Sequence, residues 1–183
     1  MEEIQLIKSL KSSKTKDIAF KKLLELYKER LYWHIRKFVK IHEDADDILQ
    51  NTFIKIYRNI AKFNENAKLY TWMYRIATNE AINFLNKKAK MQFTDIDSVL
   101  LENVNKLEND SYYNGTEIEY KLQKSIAKLP YKQQLVFTMK YYEDLKYSEI
   151  SEILDTSVGA LKASYHLAVK KIKADIVKIK HNE

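Results

Sequence analysis

The scarcity of residues that make tight turns is the feature that most constrains how this chain can fold. Its 183 residues include two glycines and one proline. Antiparallel sheets need such residues at their many turns, so the composition argues against an all-β fold and favours helices joined by short polar connections. Gly115 and Gly159 stand far apart, which excludes the glycine-rich loops that bind nucleotide phosphates.

Composition also removes several classes of chemical site. Without cysteine, the chain has no disulfide, thiolate nucleophile, iron–sulfur cluster or cysteine-ligated zinc. Its histidines have no metal-ligand or catalytic-triad spacing; they are His34, His42, His166 and His181. Because no nucleophile motif is present either, we expect a protein that is not an enzyme and binds no metal or cofactor.

The first residues carry charges where a signal peptide would have an apolar segment, and no stretch approaches 18 apolar residues. We therefore expect no membrane span and a cytoplasmic location.

Charge divides the chain into three parts, within a total of +7. Residues 1–92 carry a net +8, residues 93–122 a net −5 and residues 123–183 a net +4. The acidic part is rich in Asn, Asp and Ser and lacks a sustained apolar period, apart from a short helical turn expected around Val99–Leu107. We predict an all-α fold with two small helical domains, 1–92 and 118–183, joined by a flexible acidic linker, 93–117.

Apolar spacing places the helices of the first domain. It predicts a short helix over Ile4–Leu10, a long one over Asp17–Val39, one beginning near Asp44, and one from Thr71 to about Lys88. Acidic residues crowd the start of the third of these helices, where they suit the helix dipole better than a metal site. Its buried stripe is expected to be Ile48, Leu49, Thr52, Phe53, Ile56 and Ile60, and that of the next helix Trp72, Ile76, Ala77, Ala81, Phe84 and Leu85.

The C-terminal part has the layout of a helix-turn-helix. Helices are expected over Ile118–Lys128, Lys132–Tyr141, Tyr147–Leu154 and Val158–Ile179, and the polar turn Asp155–Ser157 joins the last two. The last helix should turn inward Val158, Leu161, Tyr165, Ala168 and Ile172. It should turn outward Lys162, Ala163, His166, Lys170 and Lys173. A cationic exposed helix fits the DNA major groove, although an ordinary helical hairpin with a solvated lysine face has the same pattern.

Three motifs now carry a family resemblance. Asp44–Tyr57 is similar to a helix of the form Asp-Ala-Glu-Asp-Leu-x-Gln-x-x-Phe, and Tyr70–Asn79 is similar to Thr-Trp-Leu-x-x-Ile-Ala-x-Asn. The third motif combines Leu129-Pro130, Tyr147–Ser151 and Ser157–Lys162. With these in order, the chain resembles the bacterial extracytoplasmic-function (ECF) RNA polymerase sigma factors over roughly residues 3–90 and 118–175.

The resemblance implies a role for each module. The first domain would bind the clamp helices of the largest polymerase subunit through Asp47, Gln50, Asn51 and Ile54. It would read the −10 promoter element through a loop with Asn64, Asn66, Lys68 and Tyr70 and a helix with Asn79, Asn83 and Lys87. The second domain would read the −35 element through Lys162, Ala163 and His166, with Ser157, Ser164 and Lys170 near phosphates. Promoter DNA and core RNA polymerase, including its flap region, are the implied partners, and an anti-sigma factor is a further one.

Two departures limit what the resemblance implies. Primary sigma factors open the duplex with two adjacent aromatic residues where this chain has Trp72-Met73, so weaker melting and a stringent promoter consensus are expected. Many relatives carry arginine where this chain has Ser164 and Leu167, which leaves the −35 sequence unassigned. Two rival hypotheses are a stand-alone helix-turn-helix regulator and a helical interaction protein without affinity for DNA.

Overall fold

A computed structural model describes residues 3–107 and 116–181, with side chains described as far as residue 178. Within these ranges the chain forms helices and no strand. The helices are α1 (Glu3–Lys11), α2 (Lys16–Val39), α3 (His42–Asn59), α4 (Leu69–Met91), α5 (Ile96–Asn105), α6 (Glu117–Ala127), α7 (Tyr131–Tyr141), α8 (Tyr147–Leu154) and α9 (Val158–His181). The all-α fold predicted from the scarce turn residues is therefore confirmed.

Helices α1 to α4 pack around one core. The apolar stripe predicted for α3 is confirmed, because all six of its residues are buried. Leu23 and Ile35 of α2 and Leu85 of α4 are fully buried in the same cluster. Burying the apolar face of each helix leaves the opposite, polar face of α3 in solvent.

The stripe predicted for α4 is wrong in part. Met73 is fully buried, whereas Trp72, Ile76 and Phe84 are only half-buried. The buried line of α4 runs through Leu69, Met73 and Ala77 at intervals of four residues, which places the larger aromatic side chains on its edges. Trp72 therefore packs against the Phe63 ring, with 5.3 Å between ring centroids, beside a cleft.

A packed helix lies within the acidic segment, where the sequence predicted only a short turn. Asp95 caps α5 by accepting a hydrogen bond from the Ser98 N–H at 2.7 Å. Its buried side chains are Val99, Leu100, Asn103 and Val104. The Asn103 amide donates to the Val39 carbonyl at 2.9 Å, which ties α5 to the end of α2.

Helices α6 to α9 form the second domain around Ile126, Leu129, Phe137, Ala168 and Ile172. Asp155 takes a left-handed conformation in the turn between α8 and α9, with φ of 51°. The Ser157 hydroxyl then accepts from the Ala160 N–H at 3.4 Å, so Ser157 caps α9. The prediction that Val158 faces inward is wrong, because this residue at the start of α9 is 37% exposed.

None of the helices in the described ranges has the combination of length and apolar character needed to cross a membrane.

Candidate nucleic-acid interface

One face of α3 is polar and free of the core. The four side chains predicted to contact polymerase are all exposed. Their spacing of three and four residues places them on one side of the helix, opposite the buried stripe. Ile54 is 48% exposed, so this face offers one apolar side chain among polar ones. They are Asp47, Gln50, Asn51 and Ile54.

A cleft of about 590 Å³ opens at the start of α4. Its first wall is the loop before α4, where the Asn64 side chain accepts from the Asn66 N–H at 3.3 Å. Thr71 contributes a buried hydroxyl oxygen with no hydrogen-bond partner among the described residues. The lining from the first domain comprises Lys62, Phe63, Asn64, Asn66, Ala67, Thr71, Trp72 and Arg75. Amides, cations and an aromatic face in one concave site suit a flat polar ligand such as a nucleobase.

The opposite wall of this cleft belongs to α8. Beside this wall, the Glu149 carboxylate of α8 accepts from the Lys68 ammonium at 3.0 Å and from the Tyr70 hydroxyl. Burial would raise the pKa of the Glu149 carboxyl, but hydrogen bonds from Tyr70, the Lys146 backbone N–H and Lys68 outweigh it and lower the pKa to about 2. The same hydrogen bond raises the pKa of Lys68. Two residues predicted to read DNA are therefore held by a carboxylate of the second domain.

The exposed face of α4 continues from this cleft along the helix. Asn79, Asn83 and Lys87 are exposed at intervals of four residues. The last two line a second cleft, of about 690 Å³, together with Asn86, Lys90 and Met91. Lys88 points elsewhere and pairs with Asp44 at 2.8 Å. This face combines amides, which can bond to base edges, with cations that suit phosphates.

The predicted DNA face of α9 is in solvent. Lys162, Ala163, His166 and Lys170 are exposed, and Ser164 is half-buried. The Ser157 hydroxyl accepts from the Ala160 N–H. Ser157 therefore stands at the N-terminal end of α9, where backbone N–H groups suit a phosphate. The structure therefore brings the −35 candidates together on one helix, apart from the α4 candidates.

An apolar groove of about 580 Å³ lies between α6, α7 and α9, and none of the predicted site residues lines it. Its lining comprises Ile118, Lys121, Leu122, Phe137, Tyr141, Tyr165, Val169, Ile172, Lys173 and Ile176. The repeat of Ile118 and Leu122 on α6 and of Val169, Ile172 and Ile176 on α9 was a readable signal.

The two domains also meet at a buried polar contact, which the sequence does not predict. His34 Nδ1 lies 2.9 Å from a Glu143 carboxylate oxygen, and its Nε2 lies 2.8 Å from the Thr78 hydroxyl. Burial would raise the pKa of Glu143, but His34 and Lys37 lower it. The partners stand 109 positions apart in the chain, which is why spacing could not pair them.

Among residues 3–107 and 116–178, no three histidine or acidic side chains come together in a way that could hold a metal ion.

Comparison with known proteins agrees with the geometry. The family model "Sigma-70 region 2" matches residues 23–91, and "Sigma-70, region 4" matches residues 120–172. The ECF RNA polymerase sigma factor SigW of Bacillus subtilis is 33% identical over 174 residues, covering 90% of this chain and 92% of that protein. The ECF RNA polymerase sigma-E factor of Haemophilus influenzae is 29% identical, covering 86% and 87%.

Two solved structures share the fold. CnrH in complex with the cytosolic domain of CnrY has a TM-score of 0.69 at 18% identity, covering 96% of this chain and 97% of that one. The sigma factor RpoE in complex with the anti-sigma factor NepR from Bartonella quintana has a TM-score of 0.66 at 17% identity, covering 86% and 96%. A sequence identity of 33% to SigW over 90% of this chain, with both sigma regions matched in order, shows that the chain belongs to the family of ECF RNA polymerase sigma factors.

Proposed function

We propose that this sigma factor directs promoter-specific transcription initiation through three separate surfaces: α3 binds core polymerase, α4 with its preceding loop reads the −10 element, and α9 reads the −35 element. As a member of the family it binds core RNA polymerase and promoter DNA. We place this work in the cytoplasm, where bacterial transcription takes place, and we assign it no catalytic step of its own.

The cleft at the start of α4 is the observation that carries the proposal. A base removed from a duplex loses its stacking and pairing, and a protein pocket must replace both. Here Asn64, Asn66 and Arg75 offer hydrogen bonds, while the half-buried Trp72 ring offers aromatic surface. An unpaired base of the −10 element would fit between these groups.

Binding of this base competes with the second domain. Lys68 and Tyr70 reach a DNA phosphate only when they release Glu149. We therefore infer that the −10 loop becomes fully available when α8 moves away from α4.

Contact with polymerase is assigned to two surfaces. The polar face of α3 with Ile54 fits the clamp helices, since a single apolar side chain inside a polar rim is typical of a specific interface. The groove between α6, α7 and α9 lies apart from the exposed cationic face of α9 and is lined mainly by apolar side chains. We assign this groove to the flap region, which would insert apolar side chains into it.

Regulation by an inhibitor follows as a further proposal. The neighbour CnrH is bound to the cytosolic domain of CnrY, and RpoE to the anti-sigma factor NepR. We propose that an anti-sigma factor binds this chain as well and blocks its polymerase-binding face.

The deciding experiment measures co-elution of the purified chain with bacterial core RNA polymerase. The double variant Gln50→Ala, Ile54→Ala should lose co-elution, whereas Ile18→Ala, which truncates an exposed isoleucine on α2, should retain it. Unchanged co-elution of the double variant would refute the assigned face. Failure of the unmodified chain to bind polymerase would instead support a stand-alone regulator.

A further inference from the structure

Phe93, just beyond the end of α4, is exposed to an unusual degree. Its side chain is 98% exposed, and that of Met91 is 72% exposed. An aromatic ring removes a large apolar area from water when it is covered, so leaving one fully hydrated forfeits that stabilisation. Single exposed aliphatic residues are common on protein surfaces, but an entirely exposed ring beside a second exposed apolar side chain indicates a binding partner.

The backbone at Phe93 has a conformation that phenylalanine rarely adopts. Its φ is 52°, in the left-handed region. The Phe93 N–H donates to the Lys90 carbonyl at 3.3 Å, and the Thr94 N–H donates to the Ala89 carbonyl at 3.0 Å. These two bonds form a Schellman motif, whose left-handed position usually holds glycine because glycine has no Cβ to clash.

Local folding therefore does not account for the choice of residue. A phenylalanine in this position strains the backbone, and its side chain gains no buried contact in return. Strained residues of this kind concentrate at functional sites, where the side chain is needed for something other than folding.

The surroundings of Phe93 indicate what that partner is. Two residues earlier, Met91 lines the 690 Å³ cleft with Asn83, Asn86, Lys87 and Lys90. Lys87 and Lys90 have no carboxylate partner among the described residues. The nearby Asp95 carboxylate is committed to the Ser98 N–H at the start of α5. Exposed cations beside an uncovered aromatic ring are the pattern with which proteins hold single-stranded nucleic acid.

We propose that Phe93 is a DNA-binding residue that stacks on an unpaired base of the promoter, while Lys87 and Lys90 contact the phosphates of the same strand. The base must be unpaired because a continuous duplex hides the faces of its bases. This inference rests on the proposed role of α4 in reading the −10 element. It adds a second stacking position, at the opposite end of the helix from the Trp72 cleft.

The length of α4 predicts where the stacked base lies. Its 23 residues span roughly 34 Å at the usual helical rise, which corresponds to roughly ten base-pair steps of duplex DNA. Because an unpaired strand can extend further per nucleotide than a strand in a duplex, about ten nucleotides or fewer separate the base at Phe93 from the base in the cleft.

The test uses the holoenzyme, formed from the full chain and core polymerase, and promoter DNA with 2-aminopurine placed at successive positions. Phe93→Gly removes the ring and also relieves the left-handed strain. We expect it to weaken promoter DNA binding by about 5- to 150-fold, the usual value of one stacked base. Its thermal unfolding midpoint should be equal to or higher than that of the unmodified chain.

Phe93→Trp keeps a stacking surface and should bind DNA as the unmodified chain does. One 2-aminopurine position should be quenched with Phe93 and with Phe93→Trp, and lose its quenching with Phe93→Gly. Ile18→Ala truncates another highly exposed residue, on α2, and should leave that quenching unchanged.

Several results would overturn the inference. If Phe93→Gly retained affinity and every quenched position, the ring would not stack on DNA. If it reduced co-elution with polymerase but not DNA binding by the holoenzyme that forms, the ring would contact protein. The double variant Asn83→Ala, Lys87→Ala separates the two proposals. If the double variant lost DNA binding and Phe93→Gly did not, α4 would keep its role in reading the −10 element and Phe93 would not be a stacking residue. If DNA binding were unchanged in the double variant and in Phe93→Gly, both proposals would be rejected.

Discussion

Replacing Glu149 with glutamine should loosen the contact between α8 and the start of α4. The carboxylate of Glu149 accepts from Lys68 and Tyr70, which belong to the first domain. Glutamine keeps the size of the side chain and removes its negative charge, so the change reports on electrostatics rather than on packing. We expect the two domains to separate more often in this variant and the −10 loop to become more available to DNA.

The magnitude follows from the pKa of Glu149, which is lowered from 4.5 to about 2. At 1.36 kcal/mol per pKa unit, this difference corresponds to about 3 kcal/mol of preference for the charged form. The Lys68 side chain is 61% exposed, and an exposed ion pair contributes about 1 kcal/mol or less. Part of this preference also comes from the Lys146 N–H at the start of α8 itself, so we expect about 1 kcal/mol between the domains, or roughly a fivefold shift towards the open arrangement.

The chain contains no cysteine, so two can be introduced for dye labelling, at the exposed positions Ile18 on α2 and Val177 on α9. Fluorescence energy transfer between the dyes should fall in Glu149→Gln, and a single-stranded −10 oligonucleotide should bind the free chain more tightly. Glu25→Gln, which removes an exposed carboxylate on α2, is the matched control. Equal energy transfer and equal oligonucleotide affinity in both variants would refute the reasoning.

The same contact has a defined pH dependence. Because the folded-state pKa of Glu149 lies below its usual value, its contribution is complete above about pH 4.5 and is lost as the pH falls from 4.5 towards 2. Glu149→Gln should show a smaller loss of stability over that window in an acid titration followed by circular dichroism.

Three further predictions concern other residues. Met73→Ala should lower the free energy of unfolding by about 2–5 kcal/mol in urea titrations, because the side chain is fully buried; Trp72→Ala should cost less stability and weaken −10 strand binding more. Lys162→Ala should cost about 1–3 kcal/mol on the cognate −35 sequence if it reads a base, and an equal loss on all sequences would make it a phosphate contact. Burial, followed by two nearby cations, lowers the pKa of Lys40 from 10.5 to about 7, so its burial destabilises the fold most below pH 7 and progressively less from pH 7 to 10.5. Lys40→Met should therefore raise the unfolding midpoint more at pH 6 than at pH 10.

Sequence patterns predicted the helices and the α3 face because both follow from local spacing. Ile48 and Ile56 lie on an unbroken apolar stripe, so their burial was readable. On α4 the apolar residues cover more than one side, and only the packing of the other helices decides that Met73 is fully buried and Trp72 half-buried. The sequence predicts only a short turn where the structure has the whole of helix α5, because the apolar residues of α5 stand among acidic and amide residues. The burial of those polar residues depends on contacts with distant residues, such as that of Asn103 with Val39.

The site residues divide in the same way. Exposed positions at helical spacing could be found from the sequence, since exposure follows from the buried stripe on the other side. The bonds from Lys68 and Tyr70 to Glu149 could not, because they join residues about 80 positions apart and depend on how the domains meet.

The buried pair of His34 and Glu143 has a consequence for how the two domains find each other. A carboxylate placed at this junction must meet its partners in one orientation, because any other close packing would bury its charge uncompensated. The pair therefore selects a single docking geometry, much as a polar residue fixes register in a coiled coil. Its net contribution to affinity is small, since dehydrating both groups cancels most of their attraction. We therefore expect the two domains to dock in one way in the free chain and to separate readily when a partner competes for either of them.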